Sequence, residues 1–254
     1  MKQSSRKWRN RCAILSIGIG SFLFLSLLVC VVCFAAADFQ KNPDGQIYDS
    51  NQKGILHMID VPYISQDGDF PTGCESVSAT MVLQYYGKKI SPEEFIDNYL
   101  TQEDFREENG VRIGPSPWEA FVGSPYSSNS YGCYAPVIVE ALRKACPTGF
   151  DVRNETGSSL HKLAETYLDA DIPVLIWATM DMKESWKSDQ WQLENGETFT
   201  WIAGEHCLVL VGYDENAYYF NDPYQNHGII GYDKKTVEKR YRELGRQAVV
   251  LVAQ

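Results

Sequence analysis

The sequence lacks an excess of basic residues and a recognisable set of metal ligands. Its 254 residues carry 23 Lys and Arg against 33 Asp and Glu, a formal net charge of −10 at pH 7. A surface that binds nucleic acid needs a basic footprint, so this composition argues against a nucleic-acid partner. No spacing among the seven cysteines fits a zinc site, so we expect neither a metal ion nor an organic cofactor.

Charge is missing altogether from residues 12–37, a run of 26 residues dominated by apolar side chains. This run is long enough to cross a bilayer, which takes about 20 residues. Five basic residues and no acidic one precede it in residues 1–11, which predicts a cytoplasmic basic segment and a body that faces outward. The alternative is a cleaved signal peptide, because three alanines at 35–37 resemble a cleavage site, and the body would then be secreted.

The rest of the chain divides into a short linker and a folded body. Residues 38–56 are polar with Pro-Asp-Gly in the middle, which is typical of a linker. Residues 57–254 follow as one domain, since aromatic residues make up 13% of the chain and charged residues 22%, enough apolar content for a core. Residues 38–254 hold 18 basic and 33 acidic residues, so their net charge is −15.

Helical patterns come first in the body and strand patterns later, which predicts an α+β fold with an antiparallel sheet. Predicted helices begin at Cys74 and at Pro92 and cover 136–146, 159–170 and 234–244. Predicted strands cover 57–64, 173–179, 197–201, 206–213, 217–222, 229–232 and 247–252. The long aromatic-rich connection 101–135 is either one wall of a cleft or a loop that its rings fasten to the core.

Cys74 lies where a loop of turn residues, Pro71 to Gly73, meets the start of a helix. A thiol at a helix N-terminus is near unpaired N–H groups and the positive end of the dipole, so we expect a lowered pKa and a nucleophilic thiolate. Gln66 precedes it by eight positions and could donate its side-chain amide to an oxyanion beside the sulfur. The simpler alternative is a small buried hydrophobic residue.

His206 begins the strand pattern HCLVLVGY, and Asp222 ends the next one, AYYFND. A chain reversal centred near Asp214 would place His206 opposite Asp222 on the same face of neighbouring strands. The carboxylate could then fix the imidazole and aim its other nitrogen at a thiol. Cys207 would point to the opposite face as a core residue. Glu205 and His227 are lesser candidates for the site.

Three blocks of this sequence carry a family resemblance: Gln66 to Gly87, the segment SYGCYAPVIVEAL, and GEHCLVLVGYDENAYYFNDP. Together they resemble C39-like cysteine peptidases of the papain-like superfamily, over about residues 57–254. The resemblance implies the papain-like fold, Cys74 as nucleophile and His206 as general base and acid. It also implies Asp222 as the orienting acid and Gln66 in the oxyanion hole.

Better-known members of the wider group are domains of export transporters that cut leader peptides after a double glycine. This chain lacks the multiple spans and the P-loop of such a transporter, so its substrate does not follow from theirs. We therefore expect an extracytoplasmic, membrane-anchored cysteine peptidase that acts on a peptide or protein. A cell-wall amidase or transpeptidase of the same fold, and a non-catalytic surface module that binds through the 101–135 loop, are the alternatives.

Overall fold

The computed structural model describes residues 39–41, 47–49 and 55–254. The predicted basic segment 1–11, the predicted anchor 12–37 and most of the predicted linker 38–56 lie outside these residues. Within the described ranges, no helix has both the length and the apolar character needed to cross a bilayer. Residues 55–254 belong to one compact unit, which holds every candidate site residue.

Five α-helices and fifteen strands make up the described part of the chain. The helices are α1 (Cys74–Tyr85), α2 (Pro92–Tyr99), α3 (Ala135–Ala145), α4 (Leu160–Thr166) and α5 (Lys234–Glu243). The first seven strands are β1 (Phe39–Lys41), β2 (Ile47–Asp49), β3 (Ile55–Met58), β4 (Gln102–Glu103), β5 (Arg106–Glu108), β6 (Val111–Ile113) and β7 (Phe121–Val122). The others are β8 (Phe150–Asn154), β9 (Val174–Thr179), β10 (Trp186–Gln192), β11 (Thr198–Ala203), β12 (Glu205–Asp214), β13 (Ala217–Asp222), β14 (Gly228–Asp233) and β15 (Ala248–Ala253).

The main sheet has seven strands in the order β14-β13-β12-β9-β15-β8, with β3 also paired to β12. All of its neighbouring pairs are antiparallel. Helices α1 to α3 precede most of this sheet in the chain, so the predicted α+β class with an antiparallel sheet is confirmed. The ten-residue strand β12 lies inside this sheet, carries His206 near its start and contacts α1.

Helix α1 is buried on all sides from Cys74 to Leu83, polar residues included. A buried helix must satisfy its polar side chains internally, since an unpaired polar group away from water is costly. Ser78 Oγ donates to the carbonyl of Cys207 on β12 at 3.1 Å, and Thr80 Oγ1 donates to the carbonyl of Ser76 at 2.8 Å. The first of these bonds fastens the helix to strand β12 at the residue that directly follows His206.

Strands β5, β6, β10 and β11 form a second sheet, which the patterns do not predict except for part of β11. Its strand β10, WKSDQWQ, is mostly exposed and polar, so apolar alternation does not reveal it. An aromatic cluster packs against this sheet, made of Phe105, Trp118, Tyr131, Tyr134, Trp191, Phe199 and Trp201. Within the 101–135 loop Tyr134 is buried, as expected for a loop that its rings fasten to the core, while Trp118 is 47% exposed. The role of this loop as one wall of a cleft stays a prediction.

Two predicted elements differ from the structure. The first strand, predicted over 57–64, is Ile55–Met58, and the last sheet bond of this segment runs from the N–H of Ile59 to the carbonyl of Val211. The helix predicted over 159–170 ends at Thr166 and is followed by a 3₁₀ turn, Leu168–Ala170. Asp171 then adopts a left-handed conformation, which stops further helical growth.

The predicted opposition of His206 and Asp222 in the β12–β13 ladder is wrong by two residues. Val209 pairs with Asn221, so continued pairing would place Leu208 opposite Asp222. The reversal is centred later than expected because Asp214 Oδ1 accepts the N–H groups of Asn216 and Ala217 at 2.6 and 2.7 Å. A shift of two residues keeps side chains on the same face, so His206 and Asp222 meet diagonally.

Candidate active site

The loop before α1 is fastened to the end of β13. The backbone N–H of Gln66 donates to the carbonyl of Pro223 at 2.9 Å, and that of Gly73 donates to the carbonyl of Phe70 at 2.9 Å. A Cβ at position 73 would lie 2.8 Å from Cβ of Phe70, so only glycine permits this tight approach. Cys74 is consequently delivered as the first residue of α1, where its own N–H has no partner within the helix.

The sulfur of Cys74 lies against β12. Its Sγ accepts the backbone N–H of Cys207 at 3.4 Å, and its thiol donates to Glu75 Oε2 at 3.3 Å. The ladder between β12 and β13 begins at Val209, so Cys207 lies beyond it. The nucleophile candidate therefore contacts the residue that directly follows His206, while the buried side chain of Cys207 packs in the core as predicted.

The pKa of the Cys74 thiol is raised well above its usual value, first by burial and then by the carboxyl groups of Glu75 and Glu205. This is opposite to the lowering expected from the helix dipole, which amounts to about half a unit charge at the helix end. Burial disfavours the thiolate and two nearby acidic groups repel it. The resting state is accordingly a neutral thiol that donates to Glu75.

His206 and Asp222 form a short, buried hydrogen bond. Nε2 of His206 lies 2.7 Å from Oδ1 of Asp222, and the two residues are 1% and 0% exposed. Because the carboxylate contacts Nε2, Nδ1 is the ring nitrogen that a general base at this position would use. The register prediction was wrong, yet the predicted contact is present.

Asp222 also binds three further donors. Its Oδ1 accepts the N–H of Tyr224 at 2.9 Å, and its Oδ2 lies 3.4 Å from both Nδ1 of His227 and the hydroxyl of Tyr232. Burial alone would raise the pKa of Asp222, but His206, His227 and the Tyr224 N–H hold it well below its usual range. The pKa of His227 is raised by the hydrogen bond to Asp222. The lesser candidate His227 therefore supports Asp222 from a loop.

A pair of acidic groups, Glu75 and Glu205, is buried beside the sulfur of Cys74. Glu75 Oε1 accepts the N–H of Cys133 at 2.6 Å. Glu205 Oε1 has no hydrogen-bond partner among the described residues. Burial raises the pKa of both carboxyl groups, and Glu75 raises that of Glu205 further. The candidate nucleophile thus lies beside two carboxyl groups whose protonated form is favoured.

Residues 58–249 match the model of the Peptidase_C39 like family, which is three quarters of the chain. The chain belongs to this family. A curated relative, the uncharacterized protein YvpB of Bacillus subtilis (strain 168), is 28% identical over 236 residues, covering 90% of this chain and 87% of YvpB.

One solved structure agrees with this assignment, and a second is similar at a lower level. The crystal structure of a proposed C39-like peptidase from Bacillus anthracis is 27% identical, covers 78% of this chain and 98% of its own, and has a TM-score of 0.68. The peptidase domain of Streptococcus ComA, a bifunctional ABC transporter of a quorum-sensing pathway, is 17% identical with a TM-score of 0.43, and covers 80% of this chain and all of its own. At that level of similarity it supports no inference about activity.

Gln66 of this C39-like chain is buried beside the Cys74 loop, but its amide is used locally. Nε2 donates to the carbonyls of Phe70 and Pro71 at 3.3 and 3.4 Å, and Oε1 has no partner among the described residues. In this arrangement the amide stabilises the loop that delivers Cys74. Its role in an oxyanion hole stays a prediction.

Pattern reasoning brought together Cys74, His206 and Asp222 and did not single out Glu75. An acidic residue in the first turn of a helix is common, because it complements the dipole, so it carries no signal of its own. What distinguishes Glu75 is complete burial against Cys133 and Cys74, which no local pattern reveals.

Proposed function

We propose that this chain is a membrane-tethered, extracytoplasmic cysteine peptidase that uses Cys74, His206 and Asp222. The observation that carries the proposal is the buried 2.7 Å contact between His206 and Asp222, next to a cysteine whose sulfur contacts the residue after His206. Membership of the Peptidase_C39 like family supports the same chemistry. The substrate is a peptide or a protein.

The reaction begins when the Cys74 thiol passes its proton to Nδ1 of His206 and the sulfur attacks the amide carbon. Asp222 stabilises the imidazolium that forms. The N–H of Cys74 donates to the oxyanion, and the Gln66 amide joins it if it leaves the carbonyls of Phe70 and Pro71. His206 then protonates the leaving amine, and water releases the acyl group.

The raised pKa of Cys74 determines when the thiolate forms. A neutral thiol bound to Glu75 is a poor nucleophile, so the proton moves to His206 as a substrate enters, and no thiolate is stored beforehand. Substrate entry also changes the surroundings of the sulfur by excluding water. The Glu75 hydrogen bond must be exchanged for the His206 contact in this step.

The tether and its orientation follow from the first 37 residues. Residues 1–11 are basic and residues 12–37 are apolar, so the body is held outside the cytoplasmic membrane, or is secreted if the segment is cleaved. Shaving of intact cells with an external protease should remove the 57–254 body. Protection of that body in intact cells, with digestion only after lysis, would place it inside and refute this part of the proposal.

The activity test uses the purified full-length chain with denatured casein and a peptide library as substrates. Cys74→Ala and His206→Ala should each abolish cleavage, while Cys146→Ala, which removes a half-buried free cysteine, should retain it. Normal activity in the Cys74 or His206 variant would end the proposal. Peptidoglycan assayed in parallel identifies a cell-wall amidase instead.

A non-catalytic surface module is the second candidate, and two contacts favour it. The Cys74 thiol is bound to Glu75, and the Gln66 amide is bound to loop carbonyls. A peptide-like electrophile distinguishes the two functions, since a peptidase directs it to Cys74. Labelling of Cys74 no faster than of Cys146 would favour the module.

A further inference from the structure

Three potential metal ligands meet beside α1. The sulfur of Cys74 and one carboxylate oxygen each of Glu75 and Glu205 all lie within 4.8 Å of one another, and all three residues are buried. Two of them are consecutive in the chain, and the third begins β12. The helix and the strand therefore bring a soft sulfur ligand and two hard oxygen ligands to one point.

Glu205 is the member that this structure leaves unsatisfied. It is only 8% exposed, and Oε1 has no hydrogen-bond partner among the described residues. Within the same residues, no lysine or arginine forms an ion pair with Glu205 or Glu75. A buried carboxylate needs donors, a counter-charge or a metal, so Oε1 of Glu205 is available as a ligand for a cation.

The dimensions of the cluster fit a tetrahedral zinc ion. Zinc binds sulfur at about 2.3 Å and carboxylate oxygen at about 2.0–2.2 Å, which puts the ligand atoms roughly 3.5 Å apart. Cys74 Sγ and Glu75 Oε2 are already 3.3 Å apart. The Glu205 oxygen lies within 4.8 Å of both of these atoms and must move closer to complete a three-ligand site, with the fourth position left for water.

Gly132 borders the two carboxyl groups directly. A Cβ at this position would lie 2.5 Å from Glu75 Oε1 and 3.1 Å from Glu205 Oε2. Any larger residue would push the carboxyl groups out of place, so glycine at this position lets the backbone pack against both of them.

We propose that Cys74, Glu75 and Glu205 form a zinc site that reversibly blocks the sulfur of Cys74. Zinc takes the lone pair that would attack the amide carbon, and the thiol proton passes to solvent. The inhibitory effect rests on the proposed peptidase function, whereas the binding of zinc does not. Glu75 and Glu205 act in this site as metal ligands and take no part in the attack.

Direct binding is measured on the purified, metal-stripped full-length chain with Zn²⁺ and a chromogenic competitor chelator. We expect one site that is lost in Cys74→Ser and at least about ten-fold weaker in both Glu75→Gln and Glu205→Gln, since even the loss of an outer partner costs that much. Glu119→Gln, an exposed matched control, should bind as the unmodified chain does. The cysteines at 12, 30 and 33 contribute the same background to every variant.

Co²⁺ provides a second readout. A sulfur-to-cobalt charge-transfer band should appear in the unmodified chain, disappear in Cys74→Ser, and require more Co²⁺ in Glu205→Gln. Thermal unfolding without metal checks that each variant is folded. Zn²⁺ should raise the melting temperature of the unmodified chain and not that of Cys74→Ser.

The rival arrangement is zinc held by Cys74 and His206. It predicts that His206→Ala abolishes binding while Glu205→Gln leaves it unchanged, and that result overturns the proposal. Binding that survives Cys74→Ser undiminished overturns it as well. A chain that binds zinc as expected but cleaves no amide would refute the peptidase function alone.

Discussion

Two buried acidic regions lie near His206, and they differ in how many donors they receive. The carboxylate of Asp222 accepts hydrogen bonds from His206, His227, Tyr232 and the N–H of Tyr224. Oε1 of Glu205 accepts no hydrogen bond among the described residues. The pKa of Asp222 is accordingly held low, and that of Glu205 is raised. Similar burial thus accompanies opposite pKa shifts, because donors decide whether a buried carboxyl group is easy or costly to ionise.

The difference assigns opposite tasks to the two regions. A permanently ionised Asp222 can orient and stabilise an imidazolium. A carboxyl group that is costly to ionise, such as Glu205, favours a proton or a metal ion. The following substitutions test this contrast, beginning with the largest expected effect.

Replacing Asp222 with alanine should have the largest effect. His206 would lose its acceptor and the N–H of Tyr224 would be left unpaired, so we expect kcat/KM to fall at least about 100-fold. The free energy of unfolding should fall by about 1–3 kcal/mol for each buried donor that is left unpaired. Steady-state kinetics and urea titration measure the two losses.

Asp222→Asn is the matched control, because it keeps one acceptor for Nε2 of His206 and removes the charge. Its losses should lie between those of the unmodified chain and Asp222→Ala. An alanine variant with unchanged kcat/KM would show that His206 does not need this carboxylate.

Replacing Glu75 with glutamine should make Cys74 more reactive. Removing the charge removes one of the effects that raise the thiol pKa, and each unit of decrease gives about ten-fold more thiolate below that pKa. The rate of alkylation of Cys74 by iodoacetamide, with chelator present, measures the change. Glu119→Gln serves as the control, and equal rates in all three proteins would contradict the repulsion by Glu75.

Replacing Glu205 with glutamine should stabilise the chain at alkaline pH. The pKa of Glu205 is higher folded than unfolded, so this group makes stability fall as pH rises above the ordinary value of 4.5. The glutamine variant does not lose this stability. The gain in the free energy of unfolding is on the order of 1 kcal/mol for each unit by which the folded pKa of Glu205 exceeds the unfolded one. Its advantage in melting temperature, measured with chelator, should grow from about pH 5 to about pH 8.

Asp222 contributes to stability with the opposite pH dependence. Because its pKa is lowered in the folded state, its stabilising contribution is present above the ordinary value of 3.8 and is lost only in acid. A Glu205→Gln variant that loses stability as pH rises would remove the contrast between the two regions.

Replacing His227 with glutamine should have the smallest effect. The pKa of His227 is raised by Asp222, so its contribution to stability is complete below the ordinary value of 6.5 and is lost as pH rises through the folded pKa. The variant should therefore be less stable at about pH 5.5 by a fraction of a kcal/mol, and equal to the unmodified chain at high pH. A deficit that grows with pH would contradict the His227–Asp222 contact.

Local patterns predict much of the site because its members lie at element ends. Turn residues before Cys74 predict a helix start, and an apolar strand on each side of Asp214 predicts the hairpin with His206 and Asp222. The register was missed because the side chain of Asp214 bonds two N–H groups beyond it, which moves the reversal. The contact survived because an error of two residues preserves the face.

What escaped prediction depends on tertiary burial. Glu75 resembles a surface residue in the sequence, and Glu205 was a lesser candidate whose burial was not predicted. Both are buried in the structure. The raised pKa of Cys74 has the same origin, so the helix dipole alone gave the wrong direction. Strand β10 was missed because its exposed polar residues follow no apolar alternation.

The central claim is that Cys74, His206 and Asp222 act together on one substrate. The most direct measurement is the rate at which a peptide-like electrophile labels Cys74 in the full-length chain, located by peptide mapping, in the unmodified protein and in His206→Ala. We predict rapid labelling confined to Cys74 in the former and slow labelling in the latter. Equal rates in the two proteins would contradict the claim.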